Sequence, residues 1–152
     1  MSQASDLSKR YSFEEYQTLE VSGQVLYEYY FGETFAIDEP HPTAMAGGTK
    51  QRNRLIKNAG TLLDGLLDKG CESYNENVKL EAVPGGYYVY PAAILTCDPR
   101  DMADNRLVRY PSLVVEVLSK STQTHDLGTK LENYRRMPTL QAYLTDFTQH
   151  LL

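Results

Sequence analysis

The chain has 152 residues, of which 41% are hydrophobic and 23% charged, the balance of one globular domain with a single buried core. Two separate domains are therefore not expected. Lys and Arg number 15 against 20 Asp and Glu, so the formal net charge is -5, which excludes a general electrostatic attraction to nucleic acid or anionic membranes.

The chain has neither the sequence features of a membrane protein nor those of a secreted protein. Residues 1–10 lack the apolar stretch of a signal peptide, and no run approaches the roughly 20 apolar residues that span a bilayer. Cys71 and Cys97 are too few for a disulfide framework and too far apart in sequence for a zinc clip. We expect two small buried hydrophobic residues in a cytoplasmic protein without membrane contact.

The first third of the chain predicts a helix followed by a hairpin. Residues 1–11 are expected to be flexible, and Ser12 and Glu15 then form the pattern of a capping box, which starts a helix ending near Val21. Two aromatic-rich segments, 26–31 and 34–37, are separated by a short turn. Their spacing predicts two short antiparallel strands.

A long amphipathic helix is predicted next. Prolines and glycines mark a loop over 40–48, Thr49 is the expected cap, and Lys69 and Gly70 supply the expected helix end. Helical spacing predicts one buried stripe, made of Leu55, Ile56, Ala59, Leu62, Leu63, Leu66 and Leu67.

The second half of the chain predicts a sheet with a further helix. Strands are expected over 78–83 and 87–97 with a turn between them, and again over 112–118 and 142–144. The run 112–118 is apolar throughout except for one glutamate, which is typical of a central strand. A helix is expected over 126–136. The chain therefore predicts a mixed central sheet flanked by helices, in the α/β or α+β class.

Glu116 is the most informative residue, because an ionised carboxylate in an apolar strand is costly to bury without a compensating cation. It indicates either a functional site or an ion pair with an arginine of a neighbouring element. Lys130, in the next helix, is a possible partner, although a helical lysine is usually a solvated surface residue.

Several segments resemble the Uma2 family, which is common in cyanobacteria and belongs to the PD-(D/E)xK restriction-endonuclease-like superfamily. The resemblance extends from about Phe13 to Tyr143 and is carried by Met45–Thr49, Tyr90–Pro91, Thr96–Asp101, Pro111–Ser119 and Thr122–Arg136. It implies one restriction-endonuclease-like domain over 1–152, with a mixed core sheet and flanking helices. It also implies a Mg²⁺-dependent endonuclease that hydrolyses phosphodiester bonds, with DNA as a partner.

The resemblance also implies roles for individual residues. Glu116 corresponds to the family's strand glutamate, a metal ligand, and Lys130 supplies the charge of a lysine that is replaced here by Leu118. Carboxylate oxygens suit Mg²⁺, and a nearby lysine can position water or stabilise the phosphate charge. Glu28 matches an acidic position near the N-terminus and is a second candidate metal residue; the alternative is an exposed strand glutamate.

One position departs seriously from the family pattern. Ala92 follows Tyr90–Pro91, where the family has its metal-binding aspartate. Asp98 cannot replace it, since six extended residues span roughly 20 Å, and Asp98 and Asp101 are interpreted as turn residues. We therefore expect weak binding of Mg²⁺ or Mn²⁺ and an impaired nuclease. The alternatives are a non-enzymatic, oligomeric or nucleic-acid-binding member, and a nuclease in which Glu28 replaces the aspartate.

Two further features concern partners. Lys50, Arg52 and Arg54, with Lys57, open the long helix and are candidate DNA contacts; the alternative is a solvated helix start. The chain stops at 148–152, earlier than is usual in the family, which would leave an exposed sheet edge. Such an edge favours pairing with another chain, so a homodimer is expected.

Overall fold

A computed structural model describes residues 9–23, 25–37, 50–117 and 126–145. The chain divides into two compact units, one formed by Met1–Gly48 with Glu81–Val89 and the other by Thr49–Leu80 with Tyr90–Leu152. No helix within the described ranges is long and apolar enough to cross a membrane. A single domain over 1–152, flexible over 1–11, stays a prediction.

The secondary structure mixes helices and strands throughout the chain. In chain order the elements are α1 (Phe13–Ser22), β1 (Tyr27–Tyr30), β2 (Glu33–Ala36), α2 (Lys50–Asp64), β3 (Glu72–Asn75), β4 (Lys79–Val83), β5 (Tyr87–Val89), β6 (Ala93–Thr96), α3 (Pro99–Met102), β7 (Leu107–Val108), β8 (Pro111–Val115), a π-helical turn (Asp126–Lys130), α4 (Leu131–Tyr134) and β9 (Ala142–Leu144).

The first unit contains the predicted N-terminal helix and hairpin. The Ser12 side chain accepts from the backbone of Glu15, whose carboxylate accepts from the backbone of Ser12, so the capping box is confirmed. β1 pairs antiparallel with β2 and, on its other side, with β5. The rings of Tyr16 and Tyr29 stack at 4.8 Å, which packs α1 on β1.

The second unit is built on a four-stranded mixed sheet with the order β3-β6-β8-β9. β6 pairs antiparallel with β3 and β8, whereas β8 and β9 are parallel. α2 covers this sheet through a buried cluster of Ala59, Leu63, Ala93, Leu95 and Val115. The prediction of a central strand over 112–118 is confirmed in its position between two other strands, but β8 ends at Val115, and Leu118 lies outside the described residues.

The predicted buried stripe of α2 is wrong at its C-terminal end. Leu62, Leu66 and Leu67 are 41%, 52% and 39% exposed. The helix ends at Asp64, and it meets the sheet through a narrower face than the one predicted. Thr49, the expected cap, lies outside the described residues.

The predicted continuous strand over 87–97 is also wrong. β5 ends at Val89 and β6 begins at Ala93. Pro91 lies in the gap, where a residue without a backbone N–H cannot extend a ladder of hydrogen bonds. β3 was not predicted, because its residues Glu72–Asn75 are largely polar and carry no apolar alternation.

The expectation that the two cysteines are separate buried residues is wrong. Cys71 and Cys97 form a disulfide, and Cys97 is exposed. The pairing follows from the antiparallel register of β3 and β6, in which Glu72 lies opposite Thr96. Residues distant in sequence thereby become neighbours at the end of two strands. The expectation of a reducing cytoplasm was based on free cysteines, and the disulfide removes that basis.

The predicted helix over 126–136 is a π-helical turn that continues into α4 and ends at Tyr134. β9 follows as predicted and lies at one end of the strand order.

Candidate active site

The candidate site is centred on Glu116, the residue that follows β8. Its backbone N–H donates to the carbonyl of Leu144 at 2.9 Å, which extends the β8–β9 pairing by one residue. The residue is 4% exposed. The apolar strand thus carries a carboxylate into the interior, where an ionised group requires partners.

Two donors from the helical segment after β8 supply such partners. Lys130 Nζ lies 3.2 Å from Glu116 Oε1, and the Tyr134 hydroxyl donates to the same oxygen at 2.9 Å. Lys130 is 3% and Tyr134 1% exposed. The two residues are four positions apart, so they lie on one face of the segment where the π-helical turn passes into α4.

This geometry bears on the expectations for Glu116 and Lys130, while the choice between a functional site and a structural ion pair stays a prediction. A lysine lies beside Glu116, and Lys130 is buried rather than solvated at the surface. Their roles as metal ligand and catalytic lysine remain predictions. Leu118 lies outside the described residues.

Ala92 lies at the same end of the sheet as Glu116. The register pairs Ala93 of β6 with Val115 of β8, and Ala92 and Glu116 are the next residues beyond this pair. Ala92 is 6% exposed and its carbonyl accepts from the backbone of Glu76. A methyl group therefore lies just before β6, beside Glu116, and the expectation that it replaces a family aspartate stays a prediction.

Asp98 and Asp101 lie beyond the opposite end of β6, at the start of α3 and within it. Asp98 caps α3 and pairs with Arg100 at 2.7 Å, which lowers the pKa of Asp98 to about 2. Asp101 is 3% exposed and accepts from the Thr96 hydroxyl at 2.6 Å and from the backbone of Arg109 and Tyr110. The interpretation of both as turn residues of a loop is therefore wrong for Asp101, which lies within α3, and Asp98 is the N-cap of that helix.

Glu28 belongs to the other unit, on β1. It is 8% exposed, so the alternative of an exposed strand glutamate is wrong. Its register partner is Phe35 of β2. A metal-binding role for Glu28 remains a prediction.

The candidate DNA contacts lie along α2. Lys50, Arg54 and Lys57 are exposed and spaced four and three residues apart, which aligns them along one face. The side chain of Arg52 lies outside the described residues.

The described residues around Glu116 do not by themselves fit a resident divalent cation. Among the residues that the structure describes, no three His, Cys, Asp or Glu side chains form a group that could hold a metal. Oε1 of Glu116 is shared by an ammonium group and a phenol. A buried ammonium at this distance repels a second cation.

Tyr134 is the residue that sequence reasoning missed as part of the site. The available signal was its spacing of four residues from Lys130, which places both side chains on one helical face.

The same fold occurs in a solved structure described as "a putative nuclease belonging to DUF820 from Anabaena variabilis". The superposition has a TM-score of 0.60 and covers 89% of this chain and 74% of the other, at 15% identity. The likeness shows a shared α+β fold.

Two curated relatives come from Synechocystis sp. (strain ATCC 27184 / PCC 6803 / Kazusa). The uncharacterized protein slr1290 is 38% identical over 132 residues, and the match covers 86% of this chain and 65% of slr1290. The uncharacterized protein sll1609 is 33% identical, with 66% and 58% covered. The chain thus spans less than two thirds of either relative. The family model of Uma2, described as "Putative restriction endonuclease", matches residues 13–149, and the chain belongs to this family.

Proposed function

We propose that this chain is a DNA endonuclease of the Uma2 family whose hydrolysis of phosphodiester bonds is severely impaired. The observation that carries the proposal is the position of Ala92, at the strand end beside Glu116. Glu116 is then the remaining carboxylate of the centre, and Lys130 is the group that would position water or phosphate.

The impairment follows from charge and donor chemistry. Mg²⁺ requires hard oxygen ligands in near-octahedral geometry, generally with one or two protein carboxylates. Glu116 faces an ammonium group at 3.2 Å, and Ala92, just before the neighbouring strand β6, offers only a methyl group. We expect the unchanged chain to bind Mg²⁺ or Mn²⁺ weakly and to hydrolyse DNA slowly.

The test compares plasmid nicking by four proteins in Mg²⁺ and in Mn²⁺. They are the unchanged chain, Ala92→Asp, Glu116→Gln and the double variant Ala92→Asp/Glu116→Gln. We expect Ala92→Asp to raise the nicking rate by on the order of 100-fold, the effect that one preorganised catalytic group generally has. The double variant is the matched control and should return to the level of the unchanged chain.

Two outcomes would contradict the proposal. If the unchanged chain nicks DNA as fast as Ala92→Asp, and Glu116→Gln abolishes this, the centre works without the family aspartate. Glu28→Gln then tests whether Glu28 has taken over its role. If none of the four proteins nicks DNA, the nuclease proposal is wrong.

A second candidate function is non-enzymatic binding of nucleic acid. The observation that favours it is the exposed basic row of Lys50, Arg54 and Lys57 along α2. Neutralised phosphates release counterions, so DNA binding by this row should weaken steeply with salt.

Fluorescence anisotropy with duplex DNA in a salt series, without divalent metal, tests this function. We expect Lys50→Gln/Arg54→Gln/Lys57→Gln to reduce both the affinity and the slope of its logarithm against the logarithm of salt concentration. Lys69→Gln/Arg135→Gln, which neutralises two exposed cations elsewhere, is the control. An equal loss of DNA affinity in both variants would contradict a specific DNA contact along α2.

Oligomeric assembly also belongs to this second candidate. β9 is the last strand in the order of its sheet. A second copy pairing along this strand would give the expected homodimer. Analytical ultracentrifugation tests it: a monomer at all concentrations would overturn the proposed dimer.

A further inference from the structure

Tyr134 joins Glu116 to β9 through its hydroxyl and its ring. It is the last residue of α4, and its ring packs edge-on against Tyr143 of β9, with centroids 4.8 Å apart and planes at 82°. The hydroxyl ends 2.9 Å from Glu116 Oε1. Contacts from two elements therefore determine both where the ring lies and where its hydroxyl points.

The two donors to Glu116 Oε1 differ in chemistry. Lys130 brings a positive charge on a flexible stem, whereas Tyr134 brings a neutral hydroxyl on a rigid ring. A carboxyl group has a broad rotational preference about its last bond. Two donors converging on one oxygen restrict that rotation, and the ring contact with Tyr143 makes Tyr134 the less mobile of the two.

We infer that Tyr134 is a positioning residue that holds the Glu116 carboxylate in place when the Lys130 ammonium group turns from Glu116 to a substrate phosphate. This inference rests on the proposed function, in which Lys130 acts on phosphate or water. Lys130 can leave Glu116 only if the buried carboxylate keeps another donor, since an unpartnered buried charge is strongly disfavoured. Tyr134 supplies that donor without adding charge.

The kinetic test uses Ala92→Asp as the parent, in which nicking is expected to be measurable. Adding Tyr134→Phe should lower kcat about 10- to 100-fold, the range expected for a hydrogen bond to a charged group. KM for DNA should stay within about twofold, because Glu116 acts on the reaction rather than on general DNA binding. Adding Tyr143→Phe instead removes the hydroxyl of the neighbouring ring and is the matched control, with kcat expected to remain within about threefold of the parent.

A second test works in the unchanged chain and needs no nuclease activity. Carbon-13 NMR of labelled glutamate carboxyl groups reports the environment of Glu116, whose resonance is identified by its disappearance in Glu116→Gln. Tyr134→Phe should shift this resonance, while Tyr143→Phe should leave it in place. An unmoved resonance in Tyr134→Phe would overturn the inference whether or not the protein cleaves DNA.

The two tests separate the inference from the function on which it rests. Silence of every protein in the nicking assay with a shifted resonance would remove the nuclease and, with it, the role of Tyr134 in catalysis. An active Ala92→Asp parent whose kcat is unchanged by Tyr134→Phe would overturn the inference alone.

A further variant covers the case in which Tyr134→Phe does not fold. Site-specific replacement of Tyr134 by 3-fluorotyrosine keeps the hydroxyl donor and adds a fluorine reporter. Its fluorine resonance should move when Glu116→Gln is added, because the acceptor of the hydroxyl changes. In the Ala92→Asp parent, the 3-fluorotyrosine protein should keep the kcat of the parent, because it keeps the hydroxyl donor. A fluorine resonance that does not move when Glu116→Gln is added would overturn the inference.

Discussion

Glu116 and Lys130 form an ion pair of 3.2 Å in which both side chains are almost sealed from solvent, at 6% and 3% exposure. Removing one partner leaves the other charge buried, which generally costs about 3–5 kcal/mol. We therefore expect Lys130→Met to lower the free energy of unfolding in urea by about that amount. Glu116→Gln/Lys130→Met, which removes both charges, should recover more than half of the loss. A loss below about 1 kcal/mol in Lys130→Met would contradict a desolvated pair.

Asp101 is expected to contribute strongly to stability without any catalytic part. Its carboxylate accepts from the Thr96 hydroxyl and from two backbone N–H groups. Asp101→Asn turns one acceptor into a donor that faces donors, so the free energy of unfolding should fall by about 2–3 kcal/mol. Asp68→Asn, at an exposed residue, is the control and should change it by less than about 0.5 kcal/mol. Equal effects in thermal or urea unfolding would contradict the assignment.

The pKa of Asp98 gives the protein a predicted sensitivity to acid. Arg100, through hydrogen bonds from its side chain and its backbone, lowers this pKa from 3.8 to about 2. A carboxyl group whose pKa is depressed on folding stabilises the protein above its unfolded pKa, and the contribution is lost as the pH falls through the folded pKa. Stability should therefore decline between about pH 4 and pH 2.

Asp98→Asn tests this sensitivity, since asparagine can still cap α3 but does not titrate. We expect a shallower decline of the free energy of unfolding below pH 4 than in the unchanged chain. An unchanged slope in urea unfolding at a series of pH values would show that other groups carry the acid response. Asp104, whose pKa is lowered by the backbone N–H groups of Arg106 and Leu107, is the next group to replace.

The disulfide is expected to stabilise the second unit. Cys71 and Cys97 are separated by 26 residues, and closing a loop of this length in the unfolded chain corresponds to about 3 kcal/mol. Cys71→Ser/Cys97→Ser should lower the free energy of unfolding by that order, and dithiothreitol should do the same to the unchanged chain. Insensitivity of the unchanged chain to dithiothreitol, with a full loss in the variant, would assign the effect to side-chain packing.

Local signals in the sequence predicted much of the fold. The capping box of α1, the hairpin of β1 and β2 and the central position of β8 depend on neighbouring residues, and all three are confirmed. β3 and the break at Pro91 depend on which strands become neighbours. A polar strand such as Glu72–Asn75 gains its hydrogen bonds from a partner that is distant in sequence, so local patterns do not reveal it.

The site shows the same division. The cost of burying a carboxylate was enough to single out Glu116 and to require a cation nearby. The four-residue spacing of Lys130 and Tyr134 was available in the sequence, but that both side chains reach the same oxygen of Glu116 depends on how their helical segment packs against β8. The disulfide likewise depends on a register that only the assembled sheet defines.

The first unit draws on two stretches of the chain, because β5 and the end of β4 join the strands near the N-terminus. During synthesis, Tyr29 and Tyr30 of β1 therefore wait for their partners Tyr88 and Tyr87 until the ribosome has passed Val89. The residues between the two stretches must leave the ribosome first, and pairing β1 with β5 then closes them into a long loop. Closing a long loop costs entropy, which slows folding that depends on contacts between distant residues. An early translational stop between the two stretches would thus leave a tyrosine-rich strand with one edge unpaired, a species prone to aggregation and to chaperone capture.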